Sequence, residues 1–206
     1  ALYRDRTGLL WIASYTSGVD IYNPRTRSFG YYRAHPGSTG LASDIVWSAY
    51  EDRAGDLWVG SIKGLTRLDP ERRHYTQYDL KDRPASAQDD RVVNAVYGDS
   101  QGTLWVGTDY SLARYLPARD AFEMHSLVGA HGDPYETSVN VLFEDSAHRL
   151  WVGTQNGLVL FDRRSDSVQR RFLPDARRGD SLPSDLVTDL CETRDGDLWE
   201  IGRAHV

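Results

Sequence analysis

The sequence predicts an all-β chain of repeated blades, each made of four short antiparallel strands, on three observations. Tryptophan recurs at Trp11, Trp58, Trp105, Trp151 and Trp199, at spacings of 47, 47, 46 and 48 residues. Leucine precedes it each time, as Leu10, Leu57, Leu104, Leu150 and Leu198. Every full period carries four apolar segments of 5 to 7 residues, rich in Val, Ile, Leu, Tyr and Phe. Such segments are too short for helices and are bounded by turn formers, as strands are. Four strands repeated at this period are the sequence form of a β-propeller blade.

The first strand of each repeat is apolar and in register: IVWSAY from Ile45, VVNAVY from Val92, VNVLF from Val139 and LVTDLC from Leu186. An Asp-x-x-Gly link follows. Asp5, Asp52, Asp99 and Asp145 stand six positions before the tryptophan, with Thr193 as the exception. Gly8, Gly55, Gly102 and Gly196 stand three before it, with His148 as the exception. An Asp side chain accepts the backbone N–H groups ahead of it, and Gly supplies positive φ, so the link is a tight turn. Histidine is among the few other residues enriched at positive φ. Val139–Phe143 and Leu150–Thr154 are therefore expected to form a hairpin despite His148.

The second strand is LWVG[ST] or a close variant, and the third begins at Gly18, Gly64, Ser111 or Gly157. The fourth lies near Tyr75, Phe122 and Val168. A blade cannot bury both of its apolar faces alone, so blades stack. The five tryptophans are assigned to packing between blades rather than to ligand stacking. Burying one indole removes roughly 150–250 Å² from water, which stabilises by roughly 4–6 kcal/mol as an upper bound. Trp47 falls outside this register.

Counting repeats gives complete blades at 41–79, 88–126 and 135–173. A partial blade at 1–34 should supply three strands, and another at 182–200 should supply two. Closed propellers have roughly 4 to 8 blades, so the chain is expected to be a partial propeller of about four blades cut from a longer ring. The last segment reads LWEIGRAHV where the repeat demands LWVGT. IGRAHV matches the translation of a sequencing adapter, so 201–206 are expected to be a non-native tail.

Composition narrows the function. The formal net charge is −6 over 206 residues, which argues against a nucleic-acid footprint in this segment. Cys191 is the single cysteine and the six histidines are scattered, so no disulfide framework, metal site or cofactor is expected. No apolar run approaches the roughly 18 residues of a membrane span. Asp and Glu recur at turn positions, which gives a paired-carboxylate glycosidase site no particular support. Four Arg-Arg pairs, including Arg163–Arg164 and Arg170–Arg171, read as solvated edges, with an anion-binding strip as the sharper alternative.

The unit D-x-x-G-x-L-W-[VI]-G-T-x-x-G-L-x-x-[FL]-D resembles the two-component regulator propeller repeat. Asp52, Gly55, Leu57, Trp58, Val59, Gly60, Gly64, Leu65 and Asp69 match it, as do Asp145, Leu150, Trp151, Val152, Gly153, Thr154, Gly157, Leu158 and Asp162. Ser111, Leu116 and Ala13 depart from it. The resemblance implies the periplasmic sensor of a membrane-anchored bacterial signalling protein, in which tandem propellers, often seven-bladed, precede a β-sandwich, a transmembrane helix and a cytoplasmic output. That output is a histidine kinase, often hybrid, or a diguanylate cyclase, and the parent is expected to be a homodimer in the inner membrane. The expected partners are the remaining blades, the output domains and a small polar ligand such as an oligosaccharide. The segment itself is expected to be non-catalytic.

Propellers bind ligands where the second-to-third-strand links and blade connections meet. The links read IKG, DYS and QNG, with SYTSG in the first repeat. Tyr15, Lys63, Asp109, Tyr110, Gln155 and Asn156 thus form the candidate ligand-binding set, a mixture suited to stacking and directional hydrogen bonds with a carbohydrate. The plainer reading is solvated turn residues. An enzyme is the competing class, because the Asp-turn-Trp pattern also looks like the Asp-box of sialidases and the tryptophan motif of quinoproteins. The Asp-box, however, has Asp five residues before Trp, and here it is six. Arg67 and Arg114 converging on one cavity would favour the enzyme. A WD-type scaffold lacks its GH and WD signatures here.

Overall fold

The structure, a computed structural model, describes residues 2–13, 18–26, 28–35, 39–80, 92–127, 138–175, 177 and 181–202. Every regular element among them is a β-strand. The first sheet comprises β1 (Leu2–Arg4), β2 (Leu10–Ala13), β3 (Val19–Asn23) and β4 (Ser28–Tyr32), and the second β5 (Val46–Glu51), β6 (Leu57–Ser61), β7 (Gly64–Leu68) and β8 (Tyr75–Tyr78). The third contains β9 (Val93–Gly98), β10 (Leu104–Thr108), β11 (Ser111–Leu116) and β12 (Ala121–Ser126). The fourth contains β13 (Val139–Glu144), β14 (Leu150–Thr154), β15 (Gly157–Asp162) and β16 (Ser167–Phe172). A two-stranded sheet joins β17 (Val187–Glu192) to β18 (Leu198–Gly202). Each is an antiparallel meander in which chain order is sheet order, as hairpin connections dictate. The chain divides into two compact units between Gly98 and Asp99.

Two boundaries differ from expectation. The opening segment holds four strands rather than three, because Leu2–Arg4 pairs with Leu10–Ile12 across the Asp5 turn. At the other end β18 runs through Ile201 and Gly202, whose partners on β17 are Asp189 and Val187. The adapter-like residues thus enter the ladder as far as Gly202, since backbone pairing does not depend on the side chain.

The Asp turn is one device repeated. Asp99 Oδ1 accepts the backbone N–H of Gln101 at 3.0 Å and of Thr103 at 2.8 Å. Its Oδ2 accepts the indole N–H of Trp105 at 3.0 Å. Asp5, Asp52 and Asp145 bind Trp11, Trp58 and Trp151 in the same way at 2.8, 2.8 and 2.7 Å. One carboxylate therefore shapes the turn and fixes the indole, which explains the six-residue spacing. Gly102 sits at φ 85° and His148 at φ 60°. The β13–β14 hairpin forms around His148 as the sequence predicts.

Four tryptophans are at the core, with Trp11, Trp58, Trp105 and Trp151 between 0% and 7% exposed. Each packs on a ring from the fourth strand of its own sheet: Tyr32, Tyr78, His125 and Phe172, with centroids 5.5 to 6.0 Å away. The neighbouring sheet closes the other side. Phe161 of β15 meets Trp105 edge-on at 5.7 Å, and the Arg72 guanidinium lies 5.3 Å from the Trp11 ring. The indole is thus a wedge between blades and also a strut within its own.

Trp199 is the correction. It is 62% exposed, so it does not pack between blades in this structure. The third and fourth strands that cover the other indoles have no counterpart among the described residues after β18, and Thr193 stands where the indole-binding Asp would be.

The glycine of LWVG is set by the first strand of its own sheet and by the following blade. Within its own sheet an added Cβ would lie 2.5 Å from Ser48 Oγ at Gly60 and 2.5 Å from Val141 Cγ1 at Gly153. A Cβ on Gly60 would lie 2.7 Å from Val93 Cγ1, and one on Gly153 would lie 2.6 Å from Val187 Cγ1. Both distances are well inside contact for carbon pairs, so only glycine lets β9 and β17 approach. The first strands β5, β13 and β17 are bulged. Register shifts at Val46/Ser48, Val139/Val141 and Val187/Asp189 leave Trp47, Asn140 and Thr188 as the extra residues. Trp47 is therefore a bulge residue, 41% exposed, and not part of the core repeat.

Candidate ligand-binding face

Hairpin geometry puts the Asp turns at one end of each sheet and the VG[ST] links at the other, beside the connections between blades. The hydroxyl that ends the second strand closes each link. Ser61 Oγ donates to the Gly64 carbonyl at 2.9 Å and accepts the Lys63 N–H at 3.3 Å. Thr154 Oγ1 does the same with the Gly157 carbonyl and the Asn156 N–H, at 2.8 and 3.0 Å. In the third repeat Thr108 Oγ1 accepts the Tyr110 and Ser111 N–H groups at 3.2 and 3.0 Å. Valine, glycine and hydroxyl are thus each required by packing or turn closure. The two residues that follow are left free to vary.

Lys63, in the first compact unit, is exposed. Tyr15 lies outside the described residues. In the second unit the structure joins two predicted links through Ser138, which is 6% exposed. The Ser138 hydroxyl donates to Asp109 Oδ1 at 3.0 Å, and its carbonyl accepts the Gln155 N–H at 3.0 Å. Asp109, Tyr110 and Asn156 are half-buried and Gln155 is exposed. The Asn156 carbonyl accepts from Arg171 Nη1 at 3.0 Å. Ser138 and Arg171 were not in the predicted set. Ser138 could have been found as the residue just before a first strand, whereas Arg171 has no counterpart signal in the other repeats.

The described residues of the second unit line two clefts of note. One of about 600 Å³ lies at the Asp-turn end, lined by Gln101, His148, Arg149, Arg163 and Arg164 among others. The other, of about 510 Å³, lies at the link end, between β16 and the connection leading to β17. None of the predicted link residues lines either cleft. Among the described residues no cluster of His, Cys, Asp and Glu could hold a metal ion.

The arginines singled out as enzyme markers are occupied locally. Arg114 forms an ion pair with Asp166 at 3.0 Å and with Glu123 at 2.5 Å, and lies 6.0 Å from the Trp105 ring. Arg67 lies 5.5 and 5.8 Å from the rings of Trp58 and Tyr78. Each braces the indole of its own sheet.

Tandem four-stranded meanders with this packing define the class, a β-propeller. Three of its repeats match a known family model. The family described as two component regulator propeller matches residues 40–63, 87–110 and 136–156. There is no match among curated proteins. An extracellular domain assigned to a hybrid two component system of B. thetaiotaomicron is similar with a TM-score of 0.78 and 20% identity, over 93% of this chain and 24% of that one. PorZ, a surface component of the type-IX secretion system of Porphyromonas gingivalis, gives 0.71 and 18%, over 97% of this chain and 30% of that one. An ancestral GH74 enzyme gives 0.66 and 12%, over 93% of this chain and 25% of that one. At these identities the likeness shows the fold. The chain spans about a quarter of the length of the first of these proteins.

Proposed function

We infer that this chain is a ligand-sensing propeller segment of a membrane-anchored bacterial signalling protein, either a two-component sensor histidine kinase or a diguanylate cyclase. It serves as part of the periplasmic portion and has no catalysis of its own. The observation that carries this reading is the contrast within LWVG[ST]-x-x: a frame held by packing, followed by two residues that differ in every repeat. The matching repeats and the fold shared with extracellular domains of hybrid two component systems support it. The ligand is a small polar molecule of the oligosaccharide class, and the parent works as a homodimer whose remaining blades complete the ring. Extending the native reading frame past Glu200 tests this. Further blades, then a transmembrane helix and a kinase or cyclase domain, are expected, whereas a stop codon directly after ring closure overturns it.

A further inference from the structure

The fourth-strand ring that covers each buried tryptophan is Tyr32, Tyr78 or Phe172 in three sheets, and His125 in the third. Of these rings only the imidazole titrates near neutral pH. His125 is 7% exposed and lies between two aromatics, 6.0 Å from Trp105 of its own sheet and 5.5 Å from Phe161 of the next. Its Nε2 is buried and has no hydrogen-bond partner among the described residues. A buried polar atom without a partner is rare in native structures and calls for a reason. The third sheet thus keeps an ionisable group where the other repeats place a ring that stays neutral.

Charged groups stand close to it. Glu123 Oε2 lies 4.0 Å from Nε2, beyond hydrogen-bond reach, and accepts instead from Arg114 Nη2 at 2.5 Å. Arg114 also pairs with Asp166, from the turn between β15 and β16, at 3.0 and 3.1 Å. That pairing crosses from the third sheet to the fourth, inside the second compact unit. Two carboxylates against one guanidinium leave the cluster with one negative charge, which a proton on His125 would balance. Burial works against that proton. It is the largest influence on His125 and holds the pKa below its ordinary value, with Arg114 acting the same way and Asp166 and Glu123 pulling it up.

We propose that the seam between the third and fourth sheets is an acid-sensitive latch, closed by neutral His125 and loosened when a proton from solvent enters at Nε2. An imidazolium held between Trp105 and Phe161 is cut off from water. The acceptor nearest to it is Glu123, which Arg114 must then share, and the ring contact with Phe161 across the seam weakens. The direction in pH follows from the burial. A histidine whose folded pKa lies below its unfolded value of about 6.5 contributes stability that is complete above that value. That stability is lost as pH falls toward the folded value, a milder range than the one in which the turn carboxylates titrate. The latch makes a proton an input to the module, and it does not rest on the ligand-sensing reading.

The test is an NMR pH titration of the ¹³C,¹⁵N-labelled full chain, observing the histidine Cε1–H and tryptophan indole N–H groups. His125 is expected to titrate below about pH 6.5. The Trp105 indole should shift with the same midpoint, and the Trp58 indole, covered by Tyr78, should not. Urea unfolding at a series of pH values gives the second readout. Over the window below about pH 6.5 the unfolding constant of the parent should rise by up to about tenfold per pH unit relative to His125→Phe. Glu123→Gln, which removes one of the two acids, should lower the His125 midpoint further and serves if the Phe variant does not fold. A His125 midpoint at or above about 6.5, or a Trp105 indole that is silent at that midpoint, overturns the proposal. So does an equal pH dependence of the parent and His125→Phe, or an unchanged midpoint in Glu123→Gln.

Discussion

The hairpins at Trp105 and Trp199 start from the same turn and end in opposite environments. Backbone bonds are nearly identical: Asp99 N–H to the Thr103 carbonyl at 3.0 Å, and Thr193 N–H to the Asp197 carbonyl at 2.9 Å. Both turns place glycine at positive φ, 85° at Gly102 and 88° at Gly196. Yet Trp105 is 1% exposed and Trp199 is 62% exposed. Every residue of β10 is buried, whereas β18 alternates between half-buried and exposed. Turn formation is thus local, and tryptophan burial is not. The second needs an acidic acceptor, a ring from the fourth strand and a neighbouring sheet together.

The largest expected effect follows directly. Trp105→Ala should cost about 3–5 kcal/mol of unfolding free energy, because a large cavity opens at a closed position. Trp199→Ala should change it by no more than about 0.5 kcal/mol, as an exposed substitution does. Urea unfolding followed by far-UV circular dichroism compares them. Equal costs would mean that the first ring contributes little beyond its own strand.

The acceptor ranks next. Burial pushes the Asp99 carboxyl up, but the Trp105 indole, the Thr103 amide and Arg163 outweigh it and hold the pKa below its ordinary value. Asp5 and Asp145 are lowered against burial by the same kind of bonds. A carboxylate whose folded pKa is depressed contributes stability that is complete above its unfolded value of about 3.9 and is lost as pH falls through the folded one. Stability should therefore decline on acidification below about pH 4. Asp99→Asn should lower it at pH 7 by about 1.5–3 kcal/mol, the range for charged hydrogen bonds. The variant should also show a shallower acid loss, and an unchanged acid profile would show that this carboxylate is not a determinant.

These contrasts also mark what a reader of the sequence can and cannot see. The period, the Asp turn and the His148 hairpin are written in local spacing, and the structure agrees with them. The indole acceptor was within reach too, because its spacing is constant. So were the fourth-strand rings, since Tyr32, Tyr78, His125 and Phe172 stand 20 or 21 residues after their tryptophans. Pairings across sheets were less legible. Ser100 binds Glu144 through both N–H and hydroxyl, and Ser146 binds Glu192 likewise. Such bonds link adjacent Asp turns over more than 40 residues and appear only where both Ser and Glu are present. The candidate site was legible as positions but not as partners. Lys63, Asp109, Tyr110, Gln155 and Asn156 sit on the predicted links, while Ser138 and Arg171, which tie three of them together, come from elements with their own reasons to exist.

A smaller effect separates turn from strand at His148. Its φ of 60° suits histidine and glycine but not a β-branched residue. His148→Val should cost about 1–2 kcal/mol, while His148→Gly should stay within about 1 kcal/mol of the parent, because relief of strain offsets added chain entropy. The His148 ring also meets Ser100 Oγ at 3.1 Å, so glycine forfeits that contact. A thermal melt of the two variants decides. If valine is harmless, the turn must have changed its shape rather than tolerated the residue.

The smallest effect is the sharpest on the comparison itself. Thr193 Oγ1 accepts the Asp197 N–H at 3.1 Å, the counterpart of one of the two amide bonds that Asp99 Oδ1 accepts, and supplies no acceptor for the Trp199 indole. Thr193→Asp restores that acceptor in a hairpin whose indole remains exposed. If burial gives the bond its worth, the variant should gain no more than about 0.5 kcal/mol, since water competes for both partners at the surface. A gain above about 1 kcal/mol would instead show that the Asp–indole bond holds the ring without help from neighbouring sheets. In that event the tryptophan would be positioned first and packed afterwards, and blade order would be encoded in each turn rather than in the stack.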